Sequence, residues 1–335
     1  MRMRRTAIAV TAAAALTLSA CGGGDEETAE GEAATGDEDS YTNELTFGTG
    51  STAGTYFPLG DELAAIYEDN IEDVSVTAIE TGGSADNLGG IYQEEMQLGL
   101  TQNDTAASGV AGEIPDLEDV QLDNFGWISN LYPEAAHIIV REDSGIESIE
   151  DLEGQTIAVG DAGSGTRAIS DAILAAHGIE EGDYTAEVAD FGSSTDMLAD
   201  SQIDASIFVV GTPVAGLTQL AASTDVRLLG IEDDMTDAIS EESGAESYDI
   251  SADAYDFLDE DVTTVSVFAA LVASTTQVSE DLAYEITAAT FENAGDITLE
   301  VGENITEENA LTGIGDVPLH PGAERYFEEQ GIDLP

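Results

Sequence analysis

The sequence of 335 residues has no lysine, a single cysteine, one tryptophan and only three histidines. One cysteine cannot form a disulfide within the chain, and the widely spaced histidines His137, His177 and His320 show no metal-ligand pattern. Seven arginines stand against 70 acidic residues, so the formal net charge is −63. A chain with so few cations cannot assemble a basic patch, which excludes nucleic-acid binding.

The many acidic residues do not make the chain a disordered tail, because hydrophobic residues are 42% of the sequence. At low ionic strength such a surface repels itself, whereas near 1 M salt the Debye length falls to about 3 Å and screens the repulsion. The composition therefore predicts adaptation to high salt. An acidic surface that binds a partner is the alternative.

An N-terminal apolar segment, residues 1–20, begins with three arginines and is too short to span a bilayer. This combination is typical of a secretion signal that is removed from the mature protein. We therefore expect the protein to work outside the cytoplasm, in the periplasm or at the cell surface.

The single cysteine, Cys21, follows the sequence LSA and precedes a glycine-rich acidic segment. We interpret this as a lipobox with Cys21 as the lipidation site; an ordinary signal peptide with an unrelated cysteine is the alternative. Two acyl groups on Cys21 would hold the protein at the outer face of the cytoplasmic membrane. Residues 21–43 are predicted to be a disordered acidic tether, because they have too little apolar surface to fold.

The rest of the chain alternates strand-like and helical patterns, which predicts an α/β fold with mostly parallel sheets flanked by helices. Helical spacing occurs at residues 57–67, 84–93, 167–177 and 196–200. Strand-like runs occur at residues 44–49, 74–80, 97–102, 135–141, 156–160, 185–191, 205–211, 226–231 and 263–274.

Two segments repeat one arrangement, in which a strand runs into a loop of glycines and hydroxyl side chains that opens a helix. The first is FGTGSTAGTYFPLGDELAAI, residues 47–66, and the second is IAVGDAGSGTRAISDAIL, residues 157–174. Two α/β lobes built in this way would face a shared ligand cleft.

These two loops do not match the known nucleotide-binding or catalytic loops. The first has one residue too many between its glycines for the dinucleotide pattern, and a P-loop needs a lysine. Neither loop has the G-x-S-x-G spacing of a hydrolase nucleophile. Backbone N–H groups and hydroxyls at a helix start favour an anion such as a carboxylate, although capping of the helix is the alternative role. The hydroxyl candidates are Ser51, Thr52, Thr55, Ser164 and Thr166.

Further segments follow one another in a characteristic order over residues 44–332. They are TGSTAGTYFPLG (49–60), ETGGSADNL (80–88), LGLTQND (98–104), LYPEAAHIIVREDSGIESIEDLEGQTIAVGDAGSGT (131–166), IDASIFVVGTPV (203–214) and LHPGAERYFEEQGI (319–332). Together they resemble the TAXI family of solute-binding proteins, the extracytoplasmic receptors of one class of TRAP transporters. The extreme acidity of this chain departs from the usual family pattern and argues against long-range attraction of anionic solutes.

The resemblance implies a two-lobed periplasmic-binding-protein fold of type II, with lobe 1 at residues 44–131 plus 264–335 and lobe 2 at 132–263. It also implies a monomer that captures a small organic anion or amino acid, either glutamate-like or a dicarboxylate, and delivers it to an ion-driven TRAP permease. Catalysis, cofactors and metals are not expected. A ligand-sensing coreceptor with the same fold is the alternative, and an extracellular α/β hydrolase is disfavoured because we recognise no nucleophile beside a base.

The same resemblance implies which residues line the cleft. Asp104 is the candidate acceptor for the ammonium group of an amino acid. Tyr56 could instead belong to the core, and Arg167 to a solvated helix face. The full set of predicted ligand residues is Gly50, Ser51, Thr55, Tyr56, Gly83, Ser84, Asn87, Gln102, Asp104, Ser164, Gly165, Thr166, Arg167, Gly211, Thr212 and Pro213.

Overall fold

The computed structural model describes residues 35–114, 117 and 120–335. The predicted signal segment and Cys21 lie outside the described residues. The described chain contains a mixed ten-stranded sheet. In chain order its strands are β1 Glu44–Gly48, β2 Ser75–Ile79, β3 Leu98–Gln102, β4 Phe125–Arg141, β5 Thr156–Ala158, β6 Thr185–Glu187, β7 Ala205–Val210, β8 Val226–Leu229, β9 Glu246–Ile250 and β10 Val262–Ser274.

Helices connect most of these strands and cover both faces of the sheet. They are α1 Tyr56–Asn70, α2 Ser84–Tyr92, α3 Asn103–Ala111, α4 Thr166–Ala176, α5 Phe191–Ala199, α6 Ala215–Ala221, α7 Asp233–Ser243, α8 Glu280–Glu292 and α9 Pro321–Gln330. In the described part of the chain, no helix is both long and apolar enough to cross a membrane.

The sheet has two halves that are joined by two long strands. Its order is β2-β1-β3-β10-β4-β7-β5-β6, and β8 and β9 pair with β4 and β10. Strands β1, β2 and β3 are parallel, as are β5, β6 and β7, whereas β4 and β10 run antiparallel to their neighbours in both halves. Each half with its helices is one lobe of a two-lobed α/β fold, which confirms the predicted fold class.

The connection between the lobes is made by β4 and β10, because each of these strands belongs to both halves. Their pairing shifts register between Ala269 and Ala270 and again between Leu271 and Val272. Such irregularities bend a strand locally. The predicted lobe boundaries, at residues 131–132 and 263–264, fall inside these shared strands and stay a prediction.

Separate hydrophobic clusters hold helices against the two faces of each half-sheet. In lobe 1, α1, α8 and α9 pack on one face around Phe47 and Tyr67, and α2 and α3 pack on the other around Trp127. In lobe 2, α4 and α7 cover one face and α5 and α6 cover the other. The helices therefore hold each half-sheet as a packed unit, and the cleft loops are attached to these units.

The described residues of the predicted tether, 35–43, are hydrogen-bonded to the rest of the protein. Gly36 N–H donates to the carbonyl of Thr275 at 3.2 Å, and Thr42 N–H donates to that of Gln277 at 2.9 Å. The Ser40 hydroxyl donates to the Thr276 carbonyl at 2.8 Å. These hydrogen bonds attach the last part of the predicted tether to the turn that follows β10.

Candidate functional site

The cleft lies where the carboxyl ends of the parallel strands of both lobes meet, the usual ligand position in α/β sheets. It contains a cavity of about 50 Å³, which is room for a few water molecules or a small solute. Its lining residues are Gly50, Ser51, Gly54, Thr55, Tyr56, Thr81, Gly82, Gly83, Ser84, Gln102, Glu134, Asp161, Ser164, Gly165, Thr166, Asp190, Phe191, Val209 and Val210.

Most of the predicted ligand residues line this cavity. They come from the loops after β1, β2 and β5, from the starts of α1, α2 and α4, and from the last residue of β3. No side chain caps the first turn of α1 or α4 in the described structure, so the first N–H groups of both helices are available to an anion. The predicted residues in the lining are Gly50, Ser51, Thr55, Tyr56, Gly83, Ser84, Gln102, Ser164, Gly165 and Thr166.

Asn87 is a predicted ligand residue that the structure places in the interior of lobe 1. Its side chain is fully buried. The amide Nδ2 donates to the carbonyls of Thr49 and Leu100, each at 2.7 Å, and Oδ1 accepts from the Thr81 hydroxyl at 2.7 Å. All of its polar atoms are therefore used to join β3 to the loops that follow β1 and β2.

Asp104 and Arg167 are predicted ligand residues that line a separate groove between α3 and α4. Arg167 Nε donates to Asp171 Oδ2 at 2.8 Å, one helical turn later. This ion pair is consistent with the alternative role of Arg167, a place on a solvated helix face. Burial raises the pKa of the Asp104 carboxyl to about 6. Neither side chain lines the cleft cavity, although Asp104 also borders a groove that shares Asp161 and Ser164 with it. Its role as acceptor for the ammonium of a solute stays a prediction.

The predicted rim residues after β7 also lie outside the cavity lining. A side chain on Gly211 would clash with Val301 and Tyr132, because its Cβ would lie 2.7 and 2.9 Å from their side-chain atoms. Thr212 Oγ1 lies 3.4 Å from Nε2 of the buried His137, and Pro213 borders another surface groove. Gly211 and Pro213 therefore lie where lobe 2 meets lobe 1, and Thr212 lies beside the interior of lobe 2.

Glu134 is the most unusual cavity residue, and the sequence did not single it out. It lies on β4, where the chain passes between the lobes, and only 1% of its surface is exposed. Tyr56 donates its hydroxyl to Oε2 at 3.1 Å, and Tyr132 donates to Oε1 at 3.3 Å. Burial raises the pKa of the Glu134 carboxyl to about 8.

The cavity lining is acidic. Glu134, Asp161 and Asp190 contribute carboxyl groups, and the described lining residues include no arginine or histidine. Each arginine beyond the predicted signal segment is paired with a carboxylate elsewhere. Asp190 also caps α5, because its Oδ1 accepts from Ser193 N–H at 3.0 Å. The cavity therefore offers acceptors and backbone donors but no cationic side chain.

The two lobes touch across the cleft. The N–H groups of Ala85 and Asp86, at the start of α2, donate to the carbonyl of Gly163 in lobe 2 at 2.9 and 3.2 Å. Gly54 of lobe 1 faces the ring of Phe191 in lobe 2, and a Cβ on that glycine would lie 3.1 Å from the ring. The structure is thus a closed arrangement of the lobes.

Two solved structures have a similar fold. The alkanesulfonate-binding protein SsuA of Xanthomonas axonopodis pv. citri, bound to MOPS, is 16% identical, with 86% of this chain and 84% of that chain covered and a TM-score of 0.51. PhnD1 of Prochlorococcus marinus, in complex with methylphosphonate, is 11% identical, with 86% and 98% covered and a TM-score of 0.52. At these identities the likeness concerns the fold, which is that of two-lobed periplasmic binding proteins.

The sequence itself matches the model of one protein family. The match extends over residues 47–331, which includes both halves of the sheet and every loop that lines the cavity. The chain therefore belongs to the NMT1-like family.

Proposed function

We propose that this protein is an extracytoplasmic solute-binding protein that captures a small amino acid between its lobes and delivers it to a membrane transporter. The observation that carries the proposal is the cleft cavity between the lobes, which has a buried carboxyl group at Glu134 and no cationic side chain in its described lining. Binding rather than catalysis is the role that fits a closed cleft between two lobes.

The charge of the cavity favours an amino acid over a dicarboxylate. The two similar structures are of an alkanesulfonate-binding protein and of a protein in complex with methylphosphonate, and both of these ligands are anions. Here a second negative charge would be buried beside Glu134, Asp161 and Asp190 without a cation, which is costly. The ammonium group of an amino acid would instead supply the missing positive charge.

Each end of such a solute has suitable partners in the cavity. Glu134 would accept from the ammonium group, and it replaces Asp104 in this role. The N–H groups at the start of α2 are already bonded to Gly163, so the first turns of α1 and α4 are the sites for the solute carboxylate. Gln102 Oε1 is buried and has no hydrogen-bond partner in the described chain, which leaves it free to accept from the solute.

The destination of the solute and the location of the protein are also part of the proposal. The segments that resemble the TAXI family support delivery to an ion-driven TRAP permease. The N-terminal pattern supports export, and Cys21 supports a lipid anchor at the outer face of the cytoplasmic membrane. The acidic composition supports function in high salt.

Calorimetric titration with matched solutes tests the proposed solute class. We would titrate the protein in 1 M NaCl with L-glutamate, L-glutamine and L-alanine, and with 2-oxoglutarate and glutarate as matched compounds without an amine. At least one of the amino acids is expected to bind with an affinity that the amine-free compounds do not approach. Preferential binding of 2-oxoglutarate or glutarate would refute the ammonium assignment.

The affinity for an amino acid is expected to rise with pH. Free Glu134 is mostly protonated below its pKa of about 8, whereas an ammonium group needs the carboxylate. The association constant should therefore increase about tenfold per pH unit up to pH 8 and then level off. The Glu134 carboxyl accepts hydrogen bonds from Tyr56, Tyr132 and Gln102, which lower its pKa. The charge of Asp104 raises the pKa of Glu134.

Calorimetry at pH 6, 7, 8 and 9, in buffers of different ionisation enthalpy, checks this dependence. About one proton should leave the protein for each solute bound at pH 6. An affinity that falls as pH rises through 8 would mean that protonated Glu134 donates to an anionic solute instead.

Stability is expected to depend strongly on salt. With a formal net charge of −63, raising NaCl from about 0.1 M to 1 M shortens the screening length from about 10 Å to 3 Å and should raise the unfolding temperature. Thermal unfolding followed by circular dichroism measures the effect, and KCl at equal ionic strength is the control because screening does not depend on the cation. An unfolding temperature independent of salt would contradict the high-salt adaptation.

A further inference from the structure

The start of α2 is capped by the opposite lobe. The first N–H groups of a helix have no acceptor within the helix and need one elsewhere. In α2, Ala85 and Asp86 both donate to the carbonyl of Gly163, at 2.9 and 3.2 Å. Gly163 lies in the loop between β5 and α4, so two backbone hydrogen bonds join lobe 1 directly to lobe 2.

The backbones at this contact approach too closely for side chains. Gly163 has a φ of +80°, and a Cβ there would lie 3.3 Å from Asp86 Cβ and 3.5 Å from Asp86 N. A Cβ on Gly82 would lie 2.4 Å from the carbonyl oxygen of Ala162. Glycine on both sides is therefore what allows the Gly163 carbonyl to reach α2.

We propose that the Gly163 carbonyl and the start of α2 form a latch that stabilises the closed lobes independently of the solute. Separation of the lobes breaks both hydrogen bonds and returns their groups to water. The latch therefore sets the balance between open and closed forms, and through it the apparent affinity for any solute. The inference rests on the two-lobed fold and not on the identity of the solute.

A cysteine pair at a second contact between the lobes can report closure. A Cβ placed on Gly192 of lobe 2 lies 3.6 Å from Cβ of Ala53 in lobe 1, which suits a disulfide. We would introduce Ala53→Cys and Gly192→Cys into the full chain with Cys21→Ala, so that the pair supplies the only thiols. No solute is added.

The reduced pair is then exposed to an oxidant and a bulky maleimide together. Disulfide formation requires closed lobes, whereas alkylation by the bulky reagent is favoured in open ones. The ratio of cross-linked to alkylated protein therefore follows the ratio of closed to open forms, whichever form predominates.

Gly163→Ala is expected to lower this ratio about tenfold, because the net contribution of two backbone hydrogen bonds is enough for such a change. Gly178→Ala is the matched control: Gly178 has a φ of +76° and is also in lobe 2, but a Cβ there meets nothing within 4 Å. It carries the same backbone strain without touching the other lobe, so its ratio should equal that of the parent.

Ala85→Pro tests the latch from the other side, because proline is tolerated in the first turn of a helix but has no N–H to donate. It should also lower the ratio. Equal ratios in the parent, Gly163→Ala and Ala85→Pro would overturn the latch, as would a pair that never cross-links in the parent. These outcomes need no solute, so they are independent of the calorimetric test of the proposed function.

Discussion

Replacing Glu134 by glutamine is expected to weaken the binding of an amino-acid solute by about a hundredfold. A hydrogen bond between charged groups inside a protein contributes more than a neutral one, and loss of one partner of a buried charge pair costs about 2–5 kcal/mol. Glutamine has the same size, and its single amide oxygen can still accept from one of the two tyrosines while its NH2 group faces the hydroxyl oxygen of the other. The loss should therefore come from the charge and not from the shape of the cavity.

Titration calorimetry at pH 8 in 1 M NaCl measures this loss, and Asp104→Asn is the matched control. Asp104 is also an acid with a pKa raised by burial, to about 6, but it lies outside the cavity lining. Its variant should change the affinity at pH 8 by no more than about twofold, because the charge of Asp104 raises the pKa of Glu134 and its loss alters only the ionised fraction. Glu134→Gln should also lose the dependence of affinity on pH. If Asp104→Asn loses affinity while Glu134→Gln keeps it, the ammonium site is at Asp104.

Asn87→Ala is expected to lower the free energy of unfolding by about 2–4 kcal/mol. The substitution removes three buried hydrogen bonds, to the carbonyls of Thr49 and Leu100 and from the hydroxyl of Thr81, although Thr81 and Thr49 keep their hydrogen bond to each other at 3.0 Å. Each buried hydrogen bond contributes about 0.5–1.5 kcal/mol. The effect should appear in stability because Asn87 lies outside the cavity lining.

Urea unfolding in 1 M NaCl measures the change, with Asn70→Ala as the control. Asn70 is exposed at the end of α1, where its Nδ2 donates to the carbonyl of Ile66 at 2.8 Å. Its replacement should change the free energy of unfolding by no more than about 0.5 kcal/mol. A stable Asn87→Ala variant that no longer binds solute would show that Asn87 is a ligand residue after all.

Strong apolar periodicity made most of the secondary structure predictable, and the misses have local causes. The predicted strand 135–141 is only the second part of β4, which begins at Phe125. In the first part of β4, Pro133 argues against a central strand, because proline has no N–H to donate to a neighbour. The structure accommodates it because β7 pairs with β4 only from Ala135 onward, so Pro133 has a strand, β10, on one side only.

Two further misses concern lobe 2. The predicted strand 185–191 is too long, because β6 ends at Glu187 and Asp190 caps a helix that begins at Phe191. Aspartate is a preferred N-cap residue, so Asp190 was a signal in the sequence for the start of this helix. Strand β9, Glu246–Ile250, was not predicted, since it is largely exposed and acidic and forms by pairing with β10.

The candidate site was predictable where it consists of loops that follow strands. Glycines and hydroxyls after β1, β2 and β5 line the cavity because the carboxyl ends of parallel strands meet at one edge. Glu134 was not predictable, since one glutamate among 70 acidic residues carries no pattern. Whether Asp104 or Glu134 lies in the cavity lining is decided by what surrounds each residue after folding.

The sequence by itself determined the alternation of strands and helices and the two related loop-to-helix arrangements, which together predict the two-lobed α/β architecture. It also determined the scarcity of cations. These properties depend on residues that are close together in the chain or on composition alone. The burial of Glu134 beside Tyr56 and the capping of α2 by Gly163 were decided only by the tertiary structure. Both contacts join residues more than 75 positions apart, and their geometry exists only when the two lobes are folded and closed.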